Sequence, residues 1–298
     1  MCHTGNDVSF FNMPNPIVFH TANKREFKEN TSKRYISVEI EVASVGGGSS
    51  GDKVSPVVKE WNSAIVHDGS LPSTGFEINT APANGDIFIN LINEVCGVLK
   101  AQKAKVDNSC GLHVHVDARE CNFYDIRKLV YLYDKIETAF FGIVAPSRKT
   151  VHYCAPCGKK LVKNLEENNI IKDNKKTIIT NVYGSEVNLN TVKTQKYNNA
   201  RYNALNLHSW VYRGTIENRM HHGTINAEKI INWSLLQAAM LDFAVDHAER
   251  DIKHMKGSPL EILLLIAPND RVKEWIVSRH NYFAGRTRDP EPELIGEI

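Results

Sequence analysis

The sequence predicts an α+β fold, with a curved, largely antiparallel sheet and helices on one face of it. Short segments in which polar and apolar residues alternate are separated by longer segments with apolar residues at helical spacing. The chain has 298 residues, of which 42% are hydrophobic and 23% charged, so it can bury a sizeable core. Together these features favour a sheet that is polar on one side and covered by helices on the other.

Alternation predicts the strands. It runs over residues 35–42, 75–80 and 111–117, and a further strand pair is expected over 201–209 and 211–220. In each segment the apolar residues fall on one side, which indicates sheet strands that are half buried.

Helical periodicity predicts the layer that covers them. Apolar stripes indicate helices over residues 84–105, 122–144 and 226–250, and a capping-box pattern at 258–261 indicates the start of another. Asn122 with Asp125 and, separately, Asn226 are suitable N-terminal caps. We expect these stripes to form the core against the apolar face of the sheet.

Two segments lack such patterns. Residues 1–34 are polar and irregular and are predicted to be an N-terminal arm, followed by one catalytic domain over 35–298. Residues 158–176 are rich in lysine and asparagine and are predicted to be a solvated insertion or mobile loop.

Charge and cysteine content limit the partners. Lys and Arg number 36 against 34 Asp and Glu, and a formal charge of +2 does not predict binding to nucleic acid or to a membrane. The six cysteines show no disulfide framework, which favours a reducing compartment. There is no targeting pattern, and the longest apolar run is far below the roughly 20 residues of a membrane span. A cytoplasmic protein is expected, and its oligomeric state, including a homo-oligomer, is left open.

The polar faces of the predicted strands collect acidic and imidazole side chains rather than the usual mixture of lysine, threonine and serine. They are Glu39, Glu41, Glu77, His113, His115 and Glu217. On neighbouring strands the carboxylates would repel one another unless cations neutralised them. Oxygen ligands in excess over imidazole suit Mg²⁺ or Mn²⁺, so the pattern indicates a polyphosphate held by metal ions. Solvent-facing strands with ordinary cross-strand ion pairs are the structural alternative.

Four segments, at residues 38–41, 75–77, 110–115 and 214–219, read VEIE, GFE, CGLHVH and GTIENR. In this order they resemble the amidoligase family, the carboxylate–amine ligases related to glutamine synthetase and glutamate–cysteine ligase. The resemblance covers roughly residues 35–250. It implies a glutamine-synthetase-like catalytic domain that uses ATP and Mg²⁺ or Mn²⁺, with small-molecule or peptide carboxylates and amines as substrates. A modified nucleobase stays open as a substrate.

The resemblance also implies roles for individual residues. Five are expected to bind metal: Glu39, Glu41, Glu77, His113 and Glu217. His115 is expected near the nucleotide or its phosphates, and Arg219 against the transferring phosphoryl group. Arg201 and Arg213 are candidates for binding phosphate or a substrate carboxylate.

The chemistry of such a ligase accounts for these residue types. ATP phosphorylates the carboxylate, and an amine attacks the resulting acyl phosphate to give an amide, with charge stabilisation by metals and an arginine. A carboxylate such as Asp68 could take the proton of the amine, although Asp68 with Ser70 is equally typical of a turn. A guanidino-kinase-like phosphotransferase and a non-catalytic metal- or nucleotide-binding module remain alternatives.

A second set of possible metal ligands lies at His152, Cys154 and Cys157. The spacing allows a zinc site, but only three ligands are close in sequence and Pro156 also fits a turn. Free thiols are the favoured interpretation.

Overall fold

The strands of the computed structural model, which describes residues 18–23, 30–46, 52–167 and 174–289, form one open antiparallel sheet. In chain order they are β1 (Ile36–Val42), β2 (Ala64–Val66), β3 (Phe76–Asn79), β4 (Gly111–Asp117), β5 (Leu205–Asn206) and β6 (Thr215–His222). Their order across the sheet is β2-β3-β1-β4-β6-β5, and all neighbouring pairs are antiparallel. β1 and β4 therefore lie at its centre.

The described α-helices are α1 (Ser55–Glu60), α2 (Gly85–Ala101), α3 (Phe123–Gly142), α4 (Gly158–Glu167), α5 (Asn174–Tyr183), α6 (Leu189–Val192), α7 (His208–Arg213), α8 (Ala227–Asp246), α9 (Glu249–His254), α10 (Pro259–Ile266) and α11 (Asp270–Phe283). Short 3-10 helices occur at Pro146–Lys149, His152–Cys154 and Asn199–Arg201. Within the described ranges, no helix combines the length and the apolar character needed to cross a bilayer.

The core lies between the sheet and its helices. The apolar residues that alternate along β1 and β4, Ile36, Val38, Ile40, Val42, Leu112, Val114 and Val116, are almost completely buried. α8 packs on β4 and on α2, and α3 packs on α8. Each fully buried side chain of this size stabilises the fold by about 1.5–3 kcal/mol. The predicted α+β class with a largely antiparallel sheet is confirmed.

The predicted helix starts agree with the structure. Asn122 and Asp125 form a reciprocal capping box at α3, and Ser258 with Glu261 forms another at α10. The side chain of Asn226 accepts a hydrogen bond from the backbone N–H of Lys229 at the start of α8. These caps satisfy backbone donors that the first helical turn leaves without partners.

The segment 158–176, predicted to be a solvated insertion or mobile loop, is helical rather than a loop in the part that the structure describes. Residues of this segment form α4 and the start of α5, and both helices pack on α3. Leu161 and Leu165, one helical turn apart, are buried against the core, while the lysines of α4 at positions 159, 160 and 163 are exposed. The lysine-rich composition of this segment made the short apolar stripe of α4 difficult to recognise in the sequence. Residues 168–173 lie outside the described part, as does most of the predicted arm over 1–34.

The predicted strand pair over 201–209 and 211–220 is also wrong in its boundaries. The first strand of the pair, β5, has only two residues, and α7 occupies residues 208–213 between β5 and β6. Gly214 caps the C-terminus of α7 with a φ of 80°, left-handed backbone that favours glycine, and β6 then begins at Thr215. Trp210 and Val211 have a high propensity for strands. In the helix both side chains are buried, and such tertiary packing overrides the local propensity.

Candidate active site

A cavity of about 720 Å³ lies over the polar face of the sheet. Its floor consists of side chains from β1, β3, β4 and β6, and its walls include β2 on one side and residues 196–213 on the other. Every residue predicted for the site except Glu41 lines this cavity.

Strand register brings together residues that are distant in sequence. Glu39 lies opposite His113 across the β1–β4 pair, and His115 lies opposite Glu217 across β4–β6. Glu41 lies opposite Glu77 across β1–β3. Because directly opposed residues of an antiparallel pair point to the same face, their side chains are neighbours.

Glu39 is the centre of the floor. Its Oε2 accepts a hydrogen bond from Nδ1 of His113 at 2.7 Å, and its Oε1 accepts one from Nε2 of His115 at 3.0 Å. Burial opposes ionisation of Glu39, but the two imidazoles outweigh it and hold its pKa well below the ordinary value. Burial and Arg219 lower the pKa of His113, yet its hydrogen bond to Glu39 leaves that pKa raised. Glu39 is therefore an anion at neutral pH.

Glu217 is held from two sides. Arg219 forms a close ion pair with its Oε1, and Nδ2 of Asn206 donates to its Oε2 at 2.6 Å. Burial opposes the charge on Glu217, but the Arg219 guanidinium lowers its pKa to about 2. Nε2 of His115 lies 3.9 Å from the same Oε2. The ring of His115 is oriented because its Nδ1 accepts a hydrogen bond from the hydroxyl of Thr215 at 3.0 Å.

Glu77 and Asp68 face the β2 wall. Burial, and then the charge of Glu39, raise the pKa of Glu77 to about 7. Asp68 accepts hydrogen bonds at 2.7 Å from both the backbone N–H and the hydroxyl of Ser70, so the turn expected as an alternative role for Asp68 is present. Burial opposes the charge on Asp68, but these bonds leave its pKa lowered.

Glu41 lies beneath the cavity surface. Its Oε2 accepts a hydrogen bond from the backbone N–H of Gly111 at 2.6 Å, and its Oε1 is 3.7 Å from Nε2 of His113. A Cβ on Gly111 would approach that Nε2 to 3.1 Å, so glycine leaves the imidazole room beside the strand.

Three groups of described residues could each hold a metal ion, because one ligand atom from every member lies within 4.8 Å of the others. They are Glu39, His115 and Glu217; Glu39, Glu77 and His113; and Glu41, Asp68 and Glu77. The donor set is rich in carboxylate oxygen, with at most one imidazole in each group, which suits Mg²⁺ or Mn²⁺. Glu39 and Glu77 each belong to two groups, so adjacent ions could share them. Geometry thus adds His115 to the candidate ligands, and its predicted contact with a nucleotide stays a prediction.

Arginines line the wall opposite β2 and also the adjoining strand β6. NH1 of Arg213 lies 3.9 Å from Oε1 of Glu39, and Nε of Arg219 donates to the carbonyl of Tyr153 at 3.2 Å. Arg201 contacts the rings of Tyr197 and Tyr202. The cavity thus combines an acidic floor with a basic wall.

Sequence patterns missed the residues that position this floor, above all Arg148. The register of β4 and β6 shifts between Leu112 and Val114, and the extra residue in β6 is a bulge. Arg148, which is 6% exposed, donates its Nε to the carbonyl of Met220 at 3.2 Å and its NH2 to that of Arg219 at 2.9 Å. No local pattern marks Arg148, because its partners are about seventy residues away. Asn206 was missed because it lies in the strand whose bounds were predicted wrongly.

The cysteines are not part of a candidate metal group within the described residues. Cys154 and Cys157 are free and buried, and their thiols donate to the carbonyls of Arg148 and Leu205 at 3.2 and 3.9 Å. Burial raises the pKa of both thiols, which disfavours the thiolates that zinc requires.

Comparisons with known proteins identify a family for this chain. The family model described as "Putative amidoligase enzyme" matches residues 20–241, a span that contains all four motifs. One solved structure, described as a "novel glutamine synthase homolog", is 11% identical, with a TM-score of 0.39 over 88% of this chain and 69% of that one. Among curated proteins, none matches. The family model matches well over half of the length of this chain, so the chain belongs to the amidoligase family.

Proposed function

We propose that this protein is an ATP-dependent ligase that joins a carboxylate to an amine through an acyl phosphate, with Mg²⁺ or Mn²⁺ bound at the cavity floor. Membership of the family indicates a ligase in general. One observation supports the finer proposal: carboxylates and imidazoles from β1, β3, β4 and β6 meet in three overlapping groups of metal ligands, under a wall of arginines.

The floor residues fit the proposed ions. Glu39, Glu217 and His115 would hold one ion, and Glu77 and Glu41 would be ligands of another. Bound divalent cations would neutralise phosphate charge while the γ-phosphoryl group of ATP moves to the substrate carboxylate. His113 would orient Glu39 for this task, because its Nδ1 already contacts that carboxylate.

Arg219 would stabilise the negative charge of the transferring phosphoryl group. Its ion pair with Glu217 and its bond to the carbonyl of Tyr153 fix the guanidinium before substrate binds, so little reorganisation is needed during the reaction. Arg213 and Arg201 extend the positive wall for phosphate or substrate carboxylate.

Asp68 would receive the proton of the attacking amine, but as a weak base. Hydrogen bonds from Ser70 hold its pKa below the ordinary value, and a general base works best with a pKa near the working pH. We therefore expect Asp68→Asn to reduce turnover by less than the roughly hundredfold or more that is typical of an essential base.

The test is amine-dependent turnover of ATP with a panel of carboxylic acids, with hydroxylamine as one acceptor. We expect ADP and inorganic phosphate only when an acid and an amine are both present, and a hydroxamate when hydroxylamine intercepts the acyl phosphate. Glu217→Gln should abolish turnover. Glu274→Gln, an exposed carboxylate of α11 outside the cavity lining, is the matched control and should not change it.

Two other results would contradict the proposal. ADP formation with the phosphate retained on the amine would indicate a guanidino-kinase-like phosphotransferase. Tight binding of Mn²⁺ and ATP without turnover of any acid and amine would indicate a non-catalytic binding module.

A further inference from the structure

Two hydroxyl groups contact the ring of His115 at the nitrogen that does not face the floor carboxylates. Nδ1 of His115 lies 3.0 Å from Oγ1 of Thr215 and 3.4 Å from Oγ of Ser209, and the two hydroxyl oxygens are 2.9 Å apart. All three residues line the cavity, and Ser209 and His115 are each 3% exposed. We call Ser209 and Thr215 the hydroxyl pair.

The turn at Gly214 brings the hydroxyl pair together. The backbone N–H of Gly214 donates to the carbonyl of Trp210 at 3.0 Å, and its left-handed backbone leads the chain from α7 into β6. Ser209 on α7 and Thr215 at the start of β6 are therefore in contact. Asn206 adds a further restraint, because its Oδ1 accepts a hydrogen bond from the backbone N–H of Ser209 at 3.2 Å. Backbone structure thus positions both hydroxyls without any bound ligand.

The floor carboxylates decide which nitrogen of His115 carries a hydrogen when no ion is bound. Nε2 lies 3.0 Å from Oε1 of Glu39 and 3.9 Å from Oε2 of Glu217. Ionised carboxylates only accept hydrogen bonds, so Nε2 of the neutral imidazole carries the hydrogen and Nδ1 accepts one from Thr215. A metal ion between the two carboxylates needs the lone pair of Nε2, and this tautomer does not offer it.

We infer that Ser209 and Thr215 are positioning residues that allow His115 to change tautomer when it binds a metal ion. A hydroxyl can donate or accept, whereas a backbone carbonyl only accepts and a backbone N–H only donates. Rotation of the two hydroxyls would turn their contact with Nδ1 from a donating into an accepting one, with the ring in the same place. One proton leaves Nε2 for solvent and one reaches Nδ1 from solvent, so the charge of the ring is unchanged.

This inference rests on the proposed function, in which His115, Glu39 and Glu217 hold one of the ions. An imidazole that binds a metal donates its other N–H to a neighbouring oxygen, and loss of that oxygen typically reduces metal affinity by about tenfold to a hundredfold. The hydroxyl pair would supply this oxygen.

The first test is NMR of the protein with isotope-labelled histidine nitrogens, because the ring nitrogens of the two tautomers give different signals. Mg²⁺ is the probe, since it is diamagnetic, and His115→Gln identifies the signals of this ring. We expect the hydrogen of His115 on Nε2 without Mg²⁺ and on Nδ1 when Mg²⁺ saturates the protein.

The second test removes the hydroxyls. In the double variant Ser209→Ala with Thr215→Val, we expect Mn²⁺ affinity, measured by electron paramagnetic resonance, to fall by about tenfold to a hundredfold. Thr215→Ser keeps a hydroxyl and should bind Mn²⁺ like the wild type. Thr150→Val is the matched control, because it removes an exposed hydroxyl that donates to the carbonyl of Ser147 at 3.0 Å, outside the cavity lining.

Two results would overturn the inference while metal binding stays intact. One is a hydrogen that remains on Nε2 of His115 when Mg²⁺ saturates the wild type, which is expected of a donor to phosphate rather than of a metal ligand. The other is a double variant that binds Mn²⁺ as tightly as the wild type, which would limit the hydroxyl pair to a packing role. The wild-type spectra decide the first result even if the double variant does not fold. Absence of Mn²⁺ binding by the wild type would refute the proposed function itself.

Discussion

Replacing Glu39 by glutamine is the most direct perturbation of the cavity floor. The carboxylate of Glu39 accepts hydrogen bonds from His113 and His115 and belongs to two of the three candidate metal groups. Glutamine keeps the size but removes the charge and turns one acceptor oxygen into an NH₂ donor. One imidazole N–H would then face another donor, and both metal groups would lose an anionic ligand.

The magnitude follows from the interactions that the charged oxygens of Glu39 make. A hydrogen bond to a charged group is worth about 1.5–3 kcal/mol, which corresponds to about tenfold to a hundredfold in a dissociation constant. Because Glu39 belongs to two of the metal groups, we expect the affinity of each of these groups for Mn²⁺ to fall by at least this factor in Glu39→Gln. We also expect turnover to be lost.

Titration of Mn²⁺ by electron paramagnetic resonance measures this directly, since free and bound ions give different signals. Glu274→Gln should titrate like the wild type. If Glu39→Gln bound Mn²⁺ within about threefold of the wild type, the convergence of ligands on Glu39 would not form a metal site, and the proposed role of the floor would be wrong.

Further predictions concern pH, the bulge and a helix cap. The pKa of Glu77 is raised to about 7, so Mn²⁺ affinity measured across a pH series should increase as pH rises through 7 and the proton leaves, and Glu77→Gln should flatten this dependence. Arg148→Met removes two hydrogen bonds from a buried guanidinium to the β6 bulge, and urea unfolding should show a loss of about 3 kcal/mol. Asn122→Ala removes the capping box of α3 and should lower the free energy of unfolding by about 1 kcal/mol, a loss that a serine at this position would restore.

Period-two alternation explains why most of the floor could be predicted. Once β1 and β4 are recognised as strands, Glu39 and Glu41 must share a face, as must His113 and His115, whatever the rest of the chain does. The register between strands is not a local property, and sequence alone does not show that Glu39 lies opposite His113. The same limit conceals Arg148 and Asn206, whose roles exist only after distant segments have packed.

The bulge in β6 decides which imidazoles belong to the cavity. Strict alternation from Glu217 would place Arg219 and His221 on the polar face, and the histidines of β4 and β6 would then compete as ligands. The extra residue of β6 opposite His113 shifts the strand register by one. His221 therefore pairs with Leu112, whose side chain is in the apolar core. His221 is completely buried, its ring is 5.0 Å from that of Trp233, and burial with the charge of Arg279 holds its pKa well below the ordinary value. A one-residue irregularity, held by Arg148 through the two carbonyls it exposes, thus separates a core histidine from the candidate metal ligands.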